Sequence, residues 1–490
     1  MRISLDPASG ESLFLQVAHA LMRDIHRGRL KPGDPLPGYR SLAESLALNR
    51  NTILSAYQEL LAEGWILSRP SEGTFVADTP PRHLPFEDTG PVRVADALGF
   101  DLRGAAVEAA GVQEPALSLG TGVPDLRHLP TAFLGRAYAR ALRMPATLRA
   151  GDPQGHRRLR EALTPMLASL RGLQADPSRL LVTRGSQMGL YLVAQTLLQP
   201  GDRVGVEALG SPRAWEALAQ PGVKLVPLEV DAEGLRLESL QAALAEGPLR
   251  AVFTTPACQY PTMVPLAAAR RRRLLGMALQ HRFAIIEHDY DAQLHYEGPP
   301  ILPLVAQDQG GVVVYVGTLS KLFAPGLRLG VIAAPEPLLA RLSARRAVLD
   351  QHGDPALELA IAELIVDGEL PRHVNRMETL YRRRRDALVT ALEKTFGAML
   401  ELTPPAQGSA LWIRAPGMDV DAWHLQAREA GVGFQPGRTF TFDESPLDCF
   451  RMGFTGHDEG ELGEAVRRMA RALELPSHGS KASGPRAGRG

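Results

Sequence analysis

Val314-Tyr-Val-Gly-Thr-Leu-Ser-Lys-Leu-Phe-Ala-Pro-Gly-Leu-Arg-Leu-Gly330 opens on apolar residues and closes on hydroxyls, a lysine and an arginine. With Val312 and Val313 ahead of it, its start is an unbroken β-branched and aromatic run, the pattern of a strand covered on both faces. A lysine just past such a strand, Lys321, flanked by Thr318, Ser320 and Arg328, suits an aldehyde cofactor with a phosphate handle. The amine forms a Schiff base, while the hydroxyls and the guanidinium hold the phosphate. Taken alone, such a lysine is more often an ordinary surface residue, so its surroundings must decide.

Outward from this stretch, between about Ala116 and Leu475, the runs Arg179-Leu-Leu-Val-Thr183, Leu249-Arg-Ala-Val-Phe-Thr254, Phe283-Ala-Ile-Ile-Glu287 and Val312-Val-Val-Tyr-Val316 alternate with helical stretches. That alternation predicts an α/β domain, a mostly parallel sheet covered by helices. Gly185-Ser-Gln187 lies between a strand and a helix, where backbone N–H groups and the helix dipole cradle phosphate. Glu287-His-Asp-Tyr-Asp291 closes another strand and offers a carboxylate for a pyridine nitrogen and a phenol for a ring hydroxyl. Glu287, His288, Asp289, Asp291 and His295 also invite a metal reading, but the strand context and Lys321 fit an organic cofactor better.

The chain has 490 residues, more than one core usually organises, with 45% apolar and 22% charged residues. Lys plus Arg total 54 and Asp plus Glu total 54, so overall charge selects no polyanionic partner. Residues 1–77 balance too, with eight basic and eight acidic side chains, and any DNA affinity must come from a local patch. Cys258 and Cys449 have no CxxC or CxxH spacing, which argues against a disulfide framework or structural zinc. No charged-then-apolar leader opens the chain and no apolar run reaches the ~20 residues that span a bilayer, so a cytoplasmic protein away from membranes is expected. The expected organisation is a first domain at 1–77, a proline-rich linker at 78–115, the α/β domain at 116–475 and a disordered tail at 476–490. Arg270-Arg-Arg-Arg273 and Arg382-Arg-Arg-Arg385 read as solvated helix faces.

In the first domain, Ser41–Leu46 makes a short helix, Ala47-Leu48 a turn, and Asn49 caps the next helix. Ile53, Tyr57, Leu60 and Leu61 face the core, which leaves Arg50, Asn51 and Thr52 in the projecting first turn. In a helix-turn-helix, that end of the second helix meets base edges. Turn signals fall at Lys31-Pro-Gly-Asp34 and Pro35-Leu-Pro-Gly38, and Gly64–Arg69 with Gly73–Val76 alternate like a wing tipped by Gly73 and Thr74. The segments Gly28–Asp34, Leu36–Ala43, Asn49–Thr52, Ala56–Leu60, Glu63–Trp65 and Gly73–Val76 together resemble the winged helix of GntR-type regulators. The resemblance implies that Arg40, Arg50 and Thr52 contact DNA, with Asn49, Asn51 and Gly73 as lesser candidates, whereas Leu54 stands where some relatives carry a basic residue.

Downstream, Gly155–Arg160, Thr183–Gln187, Pro200–Asp202, Thr255–Pro261, Glu287–Asp291, Gly317–Lys321, Leu327–Gly330 and Phe450–Phe454 resemble the aspartate-aminotransferase fold, the type I fold of pyridoxal-phosphate enzymes. Both halves in this order are similar to the MocR subfamily of GntR regulators. The resemblance implies that Lys321 carries pyridoxal 5′-phosphate, that Ser186, Gln187 and Arg328 hold its phosphate, that Tyr290 bonds the ring hydroxyl, and that Arg451 binds an amino-acid carboxylate, with Arg213 nearby. It also places His288 where the subfamily has an aspartate for the pyridine nitrogen, leaving Asp289 as a substitute only if it reorients. Ser211 replaces a stacking tyrosine, Cys258 a histidine and Met263 a glycine. The expected protein is a homodimeric regulator that binds double-stranded operator DNA and senses pyridoxal phosphate or an amine or amino-acid effector. The alternatives are a working aminotransferase with an appended DNA-binding domain, and a DNA-binding module whose large domain only dimerises. His288 and Ser211 argue against the first alternative, Lys321 and Arg328 against the second.

Overall fold

The apolar stripe of the helix Leu13–His26 buries Val17, Ala18, Leu21, Met22 and Ile25, and it packs on the helix Arg50–Ala62. Between them lies the short helix Tyr39–Leu46. These elements are seen in a computed structural model that describes residues 3, 5, 6, 9–81, 115–120, 122–291, 294–319, 321 and 323–474. The chain divides into two compact units, the first described up to residue 81 and the second from residue 115. All but the ends of the expected linker, and the whole expected tail, lie outside the described residues.

The small unit differs from the sequence reading in two places. Leu61 is 40% exposed, and Ala56, fully buried, fills its place beside Ile53, Tyr57 and Leu60. Pro35-Leu36 is a strand rather than a turn. It pairs antiparallel with Gly73–Val76, whose other edge pairs with Ile66–Arg69. Proline is tolerated there because an edge strand has no obligatory donor on its outer side.

In the large unit, seven strands form one sheet in the order Leu180–Thr183, Gly330–Ala333, Val313–Thr318, Ala284–Asp289, Ala251–Thr254, Arg203–Glu207 and Lys224–Leu228. Only Gly330–Ala333 runs against the others. All six residues of Val313–Thr318 are buried, as its apolar run predicts. Apolar clusters cover both faces, one around Leu163, Tyr315 and Val331, the other around Leu190, Phe253 and Val316. The carboxyl ends of the parallel strands therefore converge on one edge, where α/β sheets hold ligands. A second layer, not separated by the alternation pattern, is a four-stranded sheet containing Ala410–Arg414 and Cys449–Gly453. Its core with the helices Glu369–Phe396, Val420–Glu429 and Glu459–Glu474 is built on Trp423, Phe434 and Phe450.

The two arginine runs are not simply solvated faces. Arg271, Arg384 and Arg385 are buried. Arg384 Nη2 pairs with Asp125 Oδ2 at 2.8 Å while its Nη1 donates to the Thr455 carbonyl, so these guanidiniums tie helices to loops within the core. Among the described residues no helix is long and apolar enough to cross a membrane.

Candidate functional site

The helix Gly185–Leu197 starts without a side-chain cap, leaving its first N–H groups to a ligand. Gly330 comes so close that a Cβ there would lie 2.7 Å from the Gly185 carbonyl carbon and 2.9 Å from the Ser186 nitrogen. Only glycine lets the strand pass the helix terminus at that distance. Arg328, held at φ +50°, places its guanidinium against the same turn, its Cζ 3.3 Å from where a Gly185 Cβ would sit. Ser186 and Arg328 are thus brought together at one anion cradle. Gln187 follows Ser186 in the same first turn, but its side-chain Nε2 donates to the Arg213 carbonyl at 2.6 Å. Ser320 lies outside the described residues.

A cavity of about 180 Å³ has walls that include Ser211, Phe253, Tyr260, His288, Tyr290 and Lys321. Lys321 Nζ donates to the Gly122 carbonyl at 2.7 Å. Burial brings its pKa down to about 8, with Asp291 opposing and Arg451 assisting, so near neutrality a fraction of this amine is uncharged and nucleophilic. The Tyr290 hydroxyl faces sulfur, with Cys258 Sγ at 3.8 Å and Met263 Sδ at 3.6 Å. Such weak partners leave it available to a ring oxygen. Met263 has φ +65°, a conformation natural to glycine, which accounts for the glycine expected there.

Strand alternation separates the neighbours in Glu287-His-Asp-Tyr290. His288 and Tyr290 line the cavity. Asp289 turns to the opposite face, where its Oδ2 accepts from Arg171 Nε at 2.8 Å and from the Tyr315 hydroxyl at 2.8 Å. It is not placed to substitute for His288. Glu287 Oε1 and Oε2 accept from the backbone of Leu304 and Val305, with its pKa raised by burial to about 7. Burial lowers the His288 pKa to about 4, and its Nε2 is buried without a hydrogen-bond partner.

Arg451 is buried, its Nη1 donates to the Gly120 carbonyl at 2.9 Å, and its Cζ lies 5.0 Å from the Tyr260 ring centroid. Its Nε and Nη2 are buried and unpaired. Two unsatisfied guanidinium donors in one place match a carboxylate. Arg213 is instead an exposed residue at the start of the helix Pro212–Ala219. Two further residues, not singled out as cofactor contacts from sequence, belong to this region. Asp291 is fully buried, and its Oδ2 accepts from the Ser409 amide at 2.8 Å, while Arg171 anchors Asp289. A lone arginine in a helix such as Arg157–Arg171 carries no sequence pattern that would reveal its partner. Pyridoxal 5′-phosphate suits this donor set: an uncapped helix start and Arg328 for the phosphate, Lys321 for the aldehyde, Tyr290 for the ring hydroxyl.

In the small unit the Asn49 side chain accepts from the Asn51 amide at 2.9 Å and caps the helix Arg50–Ala62, while Ala47 makes the preceding turn at φ +53°. Arg40, Asn49, Arg50 and Asn51 are exposed and Thr52 is half-buried. Gly73 is exposed at φ +119° and begins the wing strand that Thr74 continues, with Arg69 Cζ 4.8 Å from the Phe75 ring. The Tyr57 hydroxyl donates to the Pro37 carbonyl at 2.6 Å and fixes the entry to Tyr39–Leu46.

Residues 114–469 match the family described as aminotransferase class I and II, and residues 13–76 match the gntR family of bacterial regulatory proteins. The chain is 30% identical over 489 residues to the probable rhizopine catabolism regulatory protein MocR of Rhizobium meliloti, covering 97% of each. It is 32% identical over 487 residues to the HTH-type transcriptional regulator TauR of Rhodobacter capsulatus, covering 96% of this chain and 98% of that one. Among solved structures, Pyrococcus horikoshii kynurenine aminotransferase superposes with a TM-score of 0.68 at 28% identity, covering 73% of this chain and 90% of the other.

Proposed function

Because the chain belongs to the MocR-type GntR regulators, DNA-binding transcription regulators with a pyridoxal-phosphate-binding aminotransferase domain, we propose that its large unit senses an amine bearing a carboxylate and that it engages operator DNA as a cytoplasmic homodimer. Pyridoxal 5′-phosphate supplies a reactive aldehyde that reports on amines. Lys321 would hold that aldehyde, and burial, by lowering its pKa to about 8, leaves part of its amine uncharged near neutral pH. Ser186, Gln187 and Arg328 keep the phosphate in place meanwhile. The observation that carries the effector class is Arg451, whose two buried donors lack a partner. An α- or ω-amino acid pairs its carboxylate there while its nitrogen reaches the aldehyde. Arg40, Arg50 and Thr52 are proposed to meet DNA, with Asn49, Asn51, Gly73 and Thr74 beside the backbone, and paired half-sites multiply the few contacts of one short helix.

Amino acids are titrated into the cofactor-loaded protein while its visible absorbance is followed, in parallel with gel shifts on DNA from upstream of its own gene. The expected result is an absorbance change with at least one amino acid that also shifts DNA affinity, both lost in Arg451→Ala. Response to simple amines equal to that for amino acids would overturn the assignment to Arg451.

A further inference from the structure

The carboxylates around the cavity each bond to other protein groups, and of their oxygens Asp289 Oδ1 and Asp291 Oδ1 are buried without a partner. Glu287 serves the Leu304 and Val305 amides, Asp289 serves Arg171 and Tyr315, and Asp291 serves Ser409. Glu207, the one acidic residue in the cavity wall, accepts from Thr254, both donors of Thr255 and Gln259, and burial raises its pKa. What the strand Ala284–Asp289 presents to the cavity is His288, between Phe253 at 6.2 Å and Tyr290 at 5.9 Å between ring centroids.

We propose that His288 keeps the ring nitrogen of the bound cofactor unprotonated, which makes this site an amine exchanger that does not proceed to transamination. The inference rests on the reading of the large unit as a cofactor-bearing sensor. A neutral imidazole offers a hydrogen bond but no negative charge, and the aromatic wall of Phe253 and Tyr290 gives a pyridinium little solvation. The His288 pKa of about 4 agrees with a neutral ring. Exchange itself needs no charged ring nitrogen. The incoming amine nitrogen would form a double bond to the imine carbon, both bonds from that carbon to Lys321 Nζ would break, two protons would pass from the incoming nitrogen to Nζ, and no oxidant or reductant would be needed. Transamination requires a carbanion beside that nitrogen, and a neutral ring is a poor electron sink.

The test loads the full-length protein with pyridoxal 5′-phosphate carrying 15N in its ring. The wild type should show the chemical shift of an unprotonated pyridine nitrogen, His288→Asp that of a protonated one, and His288→Asn, a neutral hydrogen-bonding control, that of the wild type. Single-turnover absorbance with an amino acid that exchanges should then give pyridoxamine phosphate faster in His288→Asp by on the order of tenfold or more. A protonated nitrogen in the wild type, or pyridoxamine phosphate formed as fast as in His288→Asp, overturns the inference while leaving the sensor reading intact. Cofactor that never attaches to Lys321 in the wild type overturns both.

Discussion

Lys321, half-buried, and Asp289, buried, are ionisable groups whose partners give them opposite tasks. Burial favours the neutral amine of Lys321, so its pKa falls from 10.5 to about 8. For a base whose pKa is depressed on folding, the unfolded chain binds the extra proton between those two values, and stability rises with pH across that window. Reactivity follows the same direction. Capture of pyridoxal phosphate by the cofactor-free protein should accelerate as pH rises from 7 to 9, with its midpoint near 8. Stopped-flow absorbance measures this, and a rate that is flat over that interval would contradict a lowered pKa. Asp289 has instead a buried arginine 2.8 Å away and no access to the cavity face. Removing one member of a buried pair leaves an uncompensated charge, so Asp289→Ala should lose about 3–5 kcal/mol in urea denaturation. A loss under ~1 kcal/mol would show that Arg171 finds another partner. The sequence made Asp289 look like a cofactor contact because charge type is legible in a sequence, whereas the face a strand residue occupies depends on register.

At the scale of elements, the anion cradle exists because the strand Gly330–Ala333 lies against the first turn of Gly185–Leu197. Gly330→Ala would drive a methyl into backbone atoms 2.7–2.9 Å away, which cannot rotate aside as a side chain would. Overpacking of this kind costs about 1–3 kcal/mol, and here it also displaces the N–H groups that meet phosphate. Thermal unfolding should show the lower stability, and equilibrium dialysis a weaker hold on pyridoxal phosphate; unchanged dialysis would detach the cradle from cofactor binding. Elements of this sort were legible where local chemistry sets them. The buried run Val313–Thr318, the Asn49 cap and the wing strand Gly73–Val76 all follow from residue type and period. Pro35–Leu36 was not, since two residues carry no period and only pairing with Gly73–Val76 makes them a strand. The inward halves of the two arginine runs were hidden for a related reason, because Asp125, Thr455 and Glu297, which receive Arg384 and Arg385, are far away in the chain.

For the whole molecule, the question is whether its two chemistries are coupled or merely share a chain. Linkage makes that measurable: if an effector at Arg451 and Lys321 changes DNA affinity by some factor, operator DNA must change effector affinity by the same factor. A working aminotransferase with a tethered DNA-binding unit has no such obligation. The balanced net charge of the chain concentrates DNA recognition on a few exposed groups, of which Arg40 and Arg50 carry the positive charge at the helix-turn-helix. Each base-edge contact is worth about 1–3 kcal/mol and each phosphate contact adds salt dependence. Arg40→Ala with Arg50→Ala should therefore abolish the operator complex at moderate salt and leave effector affinity without DNA unchanged, since both residues belong to the small unit. Effector titrations with and without saturating operator DNA then decide the matter. In the wild type the two dissociation constants should differ by the factor seen in gel shifts, typically about 5–150-fold for a coupled regulator, and in the double variant they should coincide. Equal constants in the wild type would mean that effector binding leaves the DNA-reading unit indifferent, and the aminotransferase reading would have to be taken up in its place.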